Sequence, residues 1–237
     1  MEYKQITLAE GRTSSSATYD VVVVIDVCRA FTTAAYALAR GARRIILVSS
    51  VEEAISLRRQ NPDWRLMGET EGLPVKSFDY WNSPSEIDKL NLSGVTLVQR
   101  TTAGTQGVTM WQNVTQHEPV IFAASFVVAG ATVTAIRDLQ PASVGFVVTG
   151  VRPSVCLGEE DVACADYMQA LLEGKDVSPE PYLERAKTWN VHRLSLDPFR
   201  ARQIQADFGL CMQVDTFDFP MPVSKMNGQM ILEGLST

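Results

Sequence analysis

The sequence predicts an α/β protein with a three-layer α/β/α architecture and a mixed, largely parallel sheet. Short apolar segments alternate with helical segments along the chain, which is the pattern of βαβ units. The most apolar segment is Val21–Ile25, four valines and an isoleucine, as in a central strand buried on both faces. Further along, Asn227-Gly228 between short apolar runs predicts a hairpin, and this makes the sheet mixed.

Local signals place the other elements in order. Strands are predicted at residues 3–8, 21–25, 44–48, 64–67, 95–98, 120–122 and 144–148, within an estimate of six to eight in all. Helices are predicted at residues 30–40, 51–60, 127–139, 159–172, 178–189 and 198–208, with another beginning at Pro84. The end and start signals are Gly41, the capping boxes Ser50/Glu53 and Ser83/Glu86, and the cap Asp197. Residues 11–18 and 71–82 are predicted as loops.

The composition is that of an acidic globular protein. The chain has 237 residues and a net charge of −6, which argues against nucleic acid as a partner. We predict a single domain over residues 1–237, with a smaller helical and hairpin part from about residue 174. No apolar run reaches membrane-spanning length, and the four cysteines lack C-x-x-C spacing. We therefore expect a cytoplasmic protein that does not bind a membrane, and a homodimer is compatible with the sequence.

Side chains suited to chemistry follow four of the predicted strands. They are Asp26 with Arg29, Glu69, the TTAGT segment at residues 101–105, and Thr149-Gly150 leading to Glu159, Glu160 and Asp161. If the strands are parallel, these four loops meet at one edge of the sheet, where α/β proteins bind ligands. Carboxylates suit Mg²⁺, and a turn of threonine and glycine can direct N–H and hydroxyl groups at phosphate oxygens. The combination predicts metal-assisted phosphoryl chemistry on an anionic small molecule.

Each of these features also has an ordinary structural interpretation. Asp26 can cap the following helix while Arg29 pairs with a surface carboxylate. The TTAGT segment can be a simple turn, the acidic triplet can complement a helix dipole, and Glu69 can be a solvated loop residue. Several known schemes are absent from the sequence, including a Walker A motif, a G-x-G-x-x-G motif and a cysteine-phosphatase loop.

Taken together, the motifs resemble the 2-phosphosulfolactate phosphatase family of coenzyme M biosynthesis. The matching segments are Ile25–Thr33 (IDVCRAFTT) for IDVLRATTT, Gly68-Glu69 for a Gly-Glu pair, Trp81–Pro84 (WNSP) for GNSP, Thr101–Thr105 (TTAGT) for TTNGT, and Glu160-Asp161 for an acidic pair. Their order and rough spacing agree over about residues 20–170, and the C-terminal third agrees more loosely. The set is fairly specific, although no single motif is.

The resemblance implies a three-layer α/β/α fold and Mg²⁺-dependent hydrolysis of a small polyanionic phosphate monoester, 2-phosphosulfolactate. We expect Asp26 and Arg29 to be catalytic. The metal candidates are Asp26, Glu69, Glu160 and Asp161. The substrate-binding candidates are Asn82, Ser83, Arg100, Thr101, Thr102, Gly104 and Thr105, with Lys76 as a weaker one.

Two departures from the family pattern leave alternatives open. Trp81 stands in place of Gly, and Ala103 in place of Asn. The protein can therefore be a phosphatase for a different phosphate ester, or a non-catalytic protein that binds an anionic metabolite. Within the phosphatase hypothesis, direct attack by water and an aspartyl intermediate at Asp26 both remain open.

Overall fold

One mixed sheet carries the fold. The computed structural model describes residues 1–13, 19–113, 118–150, 158–194 and 201–234. Its strands are β1 (Glu2–Thr7), β2 (Val21–Ile25), β3 (Arg44–Val48), β4 (Arg65–Thr70), β5 (Leu73–Pro74), β6 (Tyr80–Trp81), β7 (Thr96–Arg100), β8 (Val120–Ala124), β9 (Ser143–Val148), β10 (Pro222–Met226) and β11 (Gln229–Leu232). Its helices are α1 (Leu8–Thr13), α2 (Ala30–Ala39), α3 (Val51–Gln60), α4 (Pro84–Ile87), α5 (Gly104–Thr109), α6 (Ala129–Leu139), α7 (Glu159–Leu172), α8 (Glu180–Leu194) and α9 (Ala201–Cys211).

The predicted α/β class and the mixed sheet are confirmed. The strand order is β1-β9-β2-β8-β10-β11-β3-β7-β4-β5, with β6 beside β4. Within the described ranges six pairings are parallel and four are antiparallel. The valine-rich β2 lies between β9 and β8 with all five residues buried, as its composition predicts.

Some local predictions were wrong. Residues 11–13 belong to α1 rather than to a loop, because Thr7 and Glu10 form a reciprocal capping box that starts this helix. The described residues contain eleven strands, more than predicted, partly because β5 and β6 have two residues each and leave no periodic pattern. Residues 14–18 and Asp197, the predicted cap of the last helix, lie outside the described residues.

The parallel strands form two groups that run in opposite directions. The first group is β1, β9, β2 and β8, and the second is β3, β7 and β4. The β10–β11 hairpin separates them, since it pairs antiparallel with β8 on one side and with β3 on the other. In a flat sheet, this arrangement would put the carboxyl ends of the two groups at opposite edges.

The segments that follow these carboxyl ends nevertheless meet. Gly104, four residues beyond β7, lies so close to Asp26 at the end of β2 that a Cβ atom on it would be 2.8 Å from Asp26 Oδ2. Helix α2 begins beside this contact, and its residues Ala30–Ala37 are all buried. One apolar cluster joins α2 to strands of both groups, including Val24 of β2 and Leu97 of β7.

The composition of α2 suits this enclosed position. Its sequence, AFTTAAYALA, is rich in alanine, so neighbouring strands can approach its backbone closely. The two threonine hydroxyls hydrogen-bond within the segment, Thr32 to the Val27 carbonyl and Thr33 to the Arg29 carbonyl, each at 2.8 Å. A central helix can therefore carry these polar side chains without leaving a buried donor unsatisfied.

Helices also cover the outer face of the sheet, which gives the three layers. Helices α6 and α7 pack on the first strand group through a cluster that includes Ile136 and Met168. Helix α3 packs on the second group through Ala54. Among the described residues, no helix has both the length and the apolar character needed to cross a membrane.

Candidate active site

Asp26 lies at the carboxyl end of β2 and is enclosed by three segments. Its Oδ1 accepts the Ala30 N–H at 2.9 Å, and the carboxylate also accepts the Gly104 N–H and the Thr149 hydroxyl. Only 6% of Asp26 is exposed. Burial raises the pKa of Asp26, and the charge of Glu69 raises it further. Asp26 therefore does cap the first turn of α2, but it does so as a buried carboxylate held against two further loops.

Asp161, in the first turn of α7, holds the same strand end from the opposite side. Its Oδ1 accepts the Val27 N–H and its Oδ2 accepts the Gly150 N–H, both at 2.8 Å. Burial raises the pKa of Asp161 well above its ordinary value, and the charges of Glu160 and Asp26 add to this effect. These hydrogen bonds give the acidic start of α7 a tertiary role beyond the complementing of a helix dipole.

Asp26, Glu160 and Asp161 form what we call the carboxylate cluster. All three residues are buried, and the mutual repulsion of their charges contributes to the raised pKa of Asp161. In the part of the chain that the structure describes, no three Asp, Glu, His or Cys side chains converge as a ready-made metal centre. The cluster therefore concentrates negative charge around one loop without forming an all-protein cage.

Arg29 belongs to the same loop as Asp26 and is held by two neighbours. Its Nη1 donates to Asp207 Oδ2 at 2.6 Å, and its guanidinium carbon lies 4.1 Å from the centre of the Trp81 ring. The side chain of Arg29 is 14% exposed and that of Asp207 is 1% exposed. The alternative in which Arg29 pairs with a surface carboxylate is therefore wrong about the surface, since the ion pair is largely buried and its partner is a residue that the sequence did not indicate.

Asp207, on α9, is the centre of a buried polar network. Its Oδ1 accepts the hydroxyls of Ser83 and Ser85, each at 2.6 Å, and the Ser85 N–H at 3.2 Å. Gln203, one turn earlier on α9, donates to both serine hydroxyls at 2.7 Å. Ser83 also caps α4 through the Glu86 N–H, as the capping box predicts. In this structure Ser83 contacts Asp207, and its role in substrate binding stays a prediction.

Glu69 is buried and braces the TTAGT segment. Its Oε1 accepts the Thr102 N–H, while its Oε2 accepts the Gly72 N–H and the Thr102 hydroxyl. The preceding residue, Gly68, has φ +149°, and a Cβ there would lie 1.9 Å from the Arg100 carbonyl oxygen, so only glycine fits. The interpretation of Glu69 as a solvated loop residue is therefore wrong.

The TTAGT segment uses most of its donors within the protein. The Thr101 N–H donates to the Thr105 hydroxyl at 2.8 Å, and the Thr105 N–H donates to the Thr101 hydroxyl at 3.0 Å. The Gly104 N–H reaches Asp26, and Thr102 binds Glu69. We call this segment the TTAGT clasp, because its donors bind the two buried carboxylates Asp26 and Glu69. Its role in binding phosphate stays a prediction.

The other substrate-binding candidates lie around this clasp. Arg100 donates from Nη1 to the Glu69 carbonyl at 2.9 Å and to the Thr70 hydroxyl at 3.0 Å. Asn82 is buried and accepts a long hydrogen bond of 3.5 Å from the Gln99 amide, which also donates to the Ala30 carbonyl at 3.0 Å. Lys76 is exposed, and no described contact joins it to the site.

The sequence missed three residues that border Asp26 and Arg29. Asp207 holds Arg29, and the Thr149 hydroxyl lies between Asp26 and Asp161, within reach of either carboxylate. Ser125 follows β8 at the level of Asp26, and its buried hydroxyl has no hydrogen-bond partner in the described ranges. The sequence could have indicated Ser125 and Thr149, because each directly follows an apolar strand. It could not have indicated Asp207, because nothing in the sequence of its helix shows which carboxylate is buried.

Fold and site together define a class: an α/β protein whose strand ends present buried carboxylates and an oriented arginine, as suits an anionic ligand. The chain belongs to the 2-phosphosulfolactate phosphatase family, since the family profile, described as 2-phosphosulpholactate phosphatase, matches residues 7–225. It is 32% identical over 225 residues to a probable 2-phosphosulfolactate phosphatase of Bacillus subtilis, covering 94% of this chain and 95% of the relative. A relative of the same description from Thermoplasma acidophilum is 31% identical over 210 residues, covering 89% and 88%.

Proposed function

We propose that the protein is a Mg²⁺-dependent phosphatase that hydrolyses 2-phosphosulfolactate to sulfolactate and phosphate. Family membership and the descriptions of the relatives support the reaction. The observation that carries the proposal is the carboxylate cluster beside Arg29, at the edge of the sheet where α/β proteins bind ligands. We place the reaction in the cytoplasm.

The carboxylate oxygens of the cluster are the type of ligand that a magnesium ion prefers. Mg²⁺ takes oxygen ligands and is usually held by one or two carboxylates together with water and substrate phosphate. Asp26, Glu160 and Asp161 supply such oxygen atoms, and their repulsion in a buried place is what a divalent cation relieves. We assign Glu69 to the TTAGT clasp instead, because three nearby donors already engage its carboxylate. When bound, the ion would neutralise charge on the phosphoryl oxygens.

Arg29 would bind the phosphoryl group. A guanidinium presents a planar set of donors that can bind two phosphoryl oxygens at once. Among the described residues Asp207 engages one of its nitrogen atoms, which leaves the other donors for an anion. Phosphoryl transfer depends mainly on positioning and charge neutralisation, both of which a fixed arginine supplies.

We further propose direct attack by water. The bond between phosphorus and the sulfolactate oxygen breaks, a bond from phosphorus to the water oxygen forms, and the leaving oxygen takes up a proton. Asp26 already accepts hydrogen bonds from Ala30, Gly104 and Thr149, and these lower its reactivity as a nucleophile. Rapid quench of a single turnover should therefore yield no phosphorylated protein.

The deciding experiment measures phosphate release from 2-phosphosulfolactate with Mg²⁺ and with EDTA. Asp26→Asn should abolish most of the Mg²⁺-dependent turnover, since it removes a charge and keeps the shape. The matched control is Asp20→Asn, at the amino-terminal end of the same strand, where Asp20 accepts the Ala142 and Ser143 N–H groups at 2.7 and 2.9 Å. Equal turnover in Asp26→Asn and wild type would refute the site. Binding of 2-phosphosulfolactate without any hydrolysis would instead identify a non-catalytic protein.

A further inference from the structure

The position of Arg29 depends on a residue far away in the chain. Asp207 lies 178 positions beyond Arg29, on α9, and its side chain is 1% exposed. A buried carboxylate is costly unless it is paired and hydrogen-bonded, so a helix of this kind carries one only where it is specifically satisfied. The residues around Asp207 supply both the charge partner and the hydrogen bonds that a buried carboxylate needs.

The orientation of the Asp207 carboxylate is fixed by four donors. Oδ1 receives the hydroxyls of Ser83 and Ser85 and the Ser85 N–H, while Oδ2 receives Arg29 Nη1 at 2.6 Å. A carboxylate has about four acceptor positions, and four donors engage this one, three of them at Oδ1. Gln203 in turn fixes both serine hydroxyls. Asp207 therefore cannot turn without breaking several hydrogen bonds.

The guanidinium of Arg29 is restrained in two directions. Asp207 holds it at Nη1, and the guanidinium carbon lies over the Trp81 ring, 4.1 Å from the ring centre. The donors that Asp207 does not engage keep a fixed direction. A fork of donors held this way binds a planar pair of oxyanion oxygens with little loss of side-chain entropy.

We propose that Asp207 is a positioning residue that holds Arg29 in the geometry needed for the phosphoryl group. This inference rests on the proposed function, in which Arg29 contacts the substrate. Asp207 itself touches no substrate and acts through Arg29 alone. The serines and Gln203 support it by fixing its carboxylate.

The first test compares Asp207→Asn with wild type in steady-state hydrolysis of 2-phosphosulfolactate. The amide keeps the size of the side chain and loses the charge that holds Arg29. We expect kcat to fall about tenfold to hundredfold, the range for one charge-assisted hydrogen bond, with KM changed less than about threefold. The matched control is Asp88→Asn, which breaks a second Arg–Asp pair, that of Arg40 with Asp88 at 2.6 Å just after α2 and α4, and should leave kcat unchanged.

The second test is chemical rescue, which a purely structural role would not affect. Arg29→Ala removes the guanidinium and leaves Asp207 and Trp81 in place as a receptor for added methylguanidine. We expect methylguanidine to restore activity to Arg29→Ala and to fail with the double variant Arg29→Ala/Asp207→Asn. Equal rescue of both variants would overturn the proposal.

A third measurement separates this proposal from the proposed function. The side-chain Nε–H resonance of Arg29, assigned by its loss in Arg29→Lys, reports the order of the guanidinium without any substrate. In folded Asp207→Asn this resonance should broaden or exchange faster with solvent. If it is unchanged, Asp207 does not position Arg29, whatever the enzyme hydrolyses. If it changes while wild type hydrolyses nothing, the positioning stands and the proposed function fails.

Discussion

Replacing Gly104 by alanine tests whether the close approach of the segment after β7 holds Asp26 in place. A Cβ at this position would lie 2.7 Å from the Ala30 Cβ and 2.8 Å from Asp26 Oδ2. Two carbon atoms ordinarily pack at about 3.5–4.0 Å, so the first contact is too short by roughly 0.8 Å or more. Either α5 moves away from α2 or the Asp26 carboxylate shifts by several tenths of an ångström.

The expected effect on stability is modest, and the effect on activity is larger. Overpacking costs about 1–3 kcal/mol, and alanine regains up to about 1 kcal/mol as a helix former at the start of α5. The free energy of unfolding should therefore fall by about 0–3 kcal/mol, which lowers Tm by at most about 12 °C in a chain of this size. A displaced Asp26 should reduce turnover about tenfold to hundredfold, because small misplacements at a reacting centre are costly.

Two further glycine variants serve as controls that separate the general effect of an added methyl group on stability from the displacement of Asp26. Gly107→Ala puts a Cβ 2.6 Å from a methyl group of Val24 and 2.9 Å from the methyl group of Thr149, so it should lower Tm and reach the Asp26 carboxylate only indirectly, through Thr149. Gly209→Ala, on α9, meets no atom within 4 Å and should raise Tm slightly. Thermal unfolding and Mg²⁺-dependent phosphate release are measured for all three variants. If folded Gly104→Ala has wild-type turnover, the contact between this segment and Asp26 does not determine the site.

Three other predictions concern the same site. Mg²⁺ at about 100 times its Kd should stabilise the protein by about 2.7 kcal/mol and raise Tm by about 5–10 °C, and Asp26→Asn should lose this shift in differential scanning fluorimetry at constant ionic strength. Arg29→Lys should lower kcat despite its conserved charge, because an ammonium cannot bind two oxygens in the plane of a guanidinium; unchanged kcat and KM would remove Arg29 from the site. Ala103→Asn adds a side-chain donor beside Gly104 and should raise kcat/KM on 2-phosphosulfolactate about tenfold to hundredfold if native turnover is poor. A folded Ala103→Asn variant with no gain would show that this position does not set the substrate.

The sequence correctly placed polar side chains at the carboxyl ends of the strands, because this placement depends only on one strand and the loop that follows it. Asp26, Thr149 and the acidic start of α7 come together since β2 and β9 are adjacent and parallel. The sequence also predicted that the segment after β7 would lie close to Asp26, but that prediction assumed that all of these strands are parallel. The two strand groups run in opposite directions, and apolar periodicity carries no information about direction. The meeting is seen only in the tertiary structure, where Gly104 approaches Asp26 and the first residue of α2.

The partner of Arg29 could not be predicted for a different reason. Asp207 lies in a helix whose sequence, ARQIQADFGLC, is mixed in polarity, so nothing marks one carboxylate as buried. Its burial follows from the packing of α9 against α4, where Ser83 and Ser85 supply the donors. Local patterns indicated that Ser83 would start a helix, and they could not indicate the tertiary contact of the same hydroxyl.

The central position of the β10–β11 hairpin has a consequence for how the chain folds. Residues 222–232 pair with Ile45–Leu47 on one side and with Ile121 and Phe122 on the other, so these ladders close over very long stretches of sequence. Contacts of such separation slow folding, because a large loop must be closed before the contact is gained. Until the hairpin docks, β8 and β3 are unprotected strand edges, which are the usual templates for aggregation. The two halves of the enzyme thus become one sheet only when the hairpin inserts, and refolding should be slow and sensitive to protein concentration.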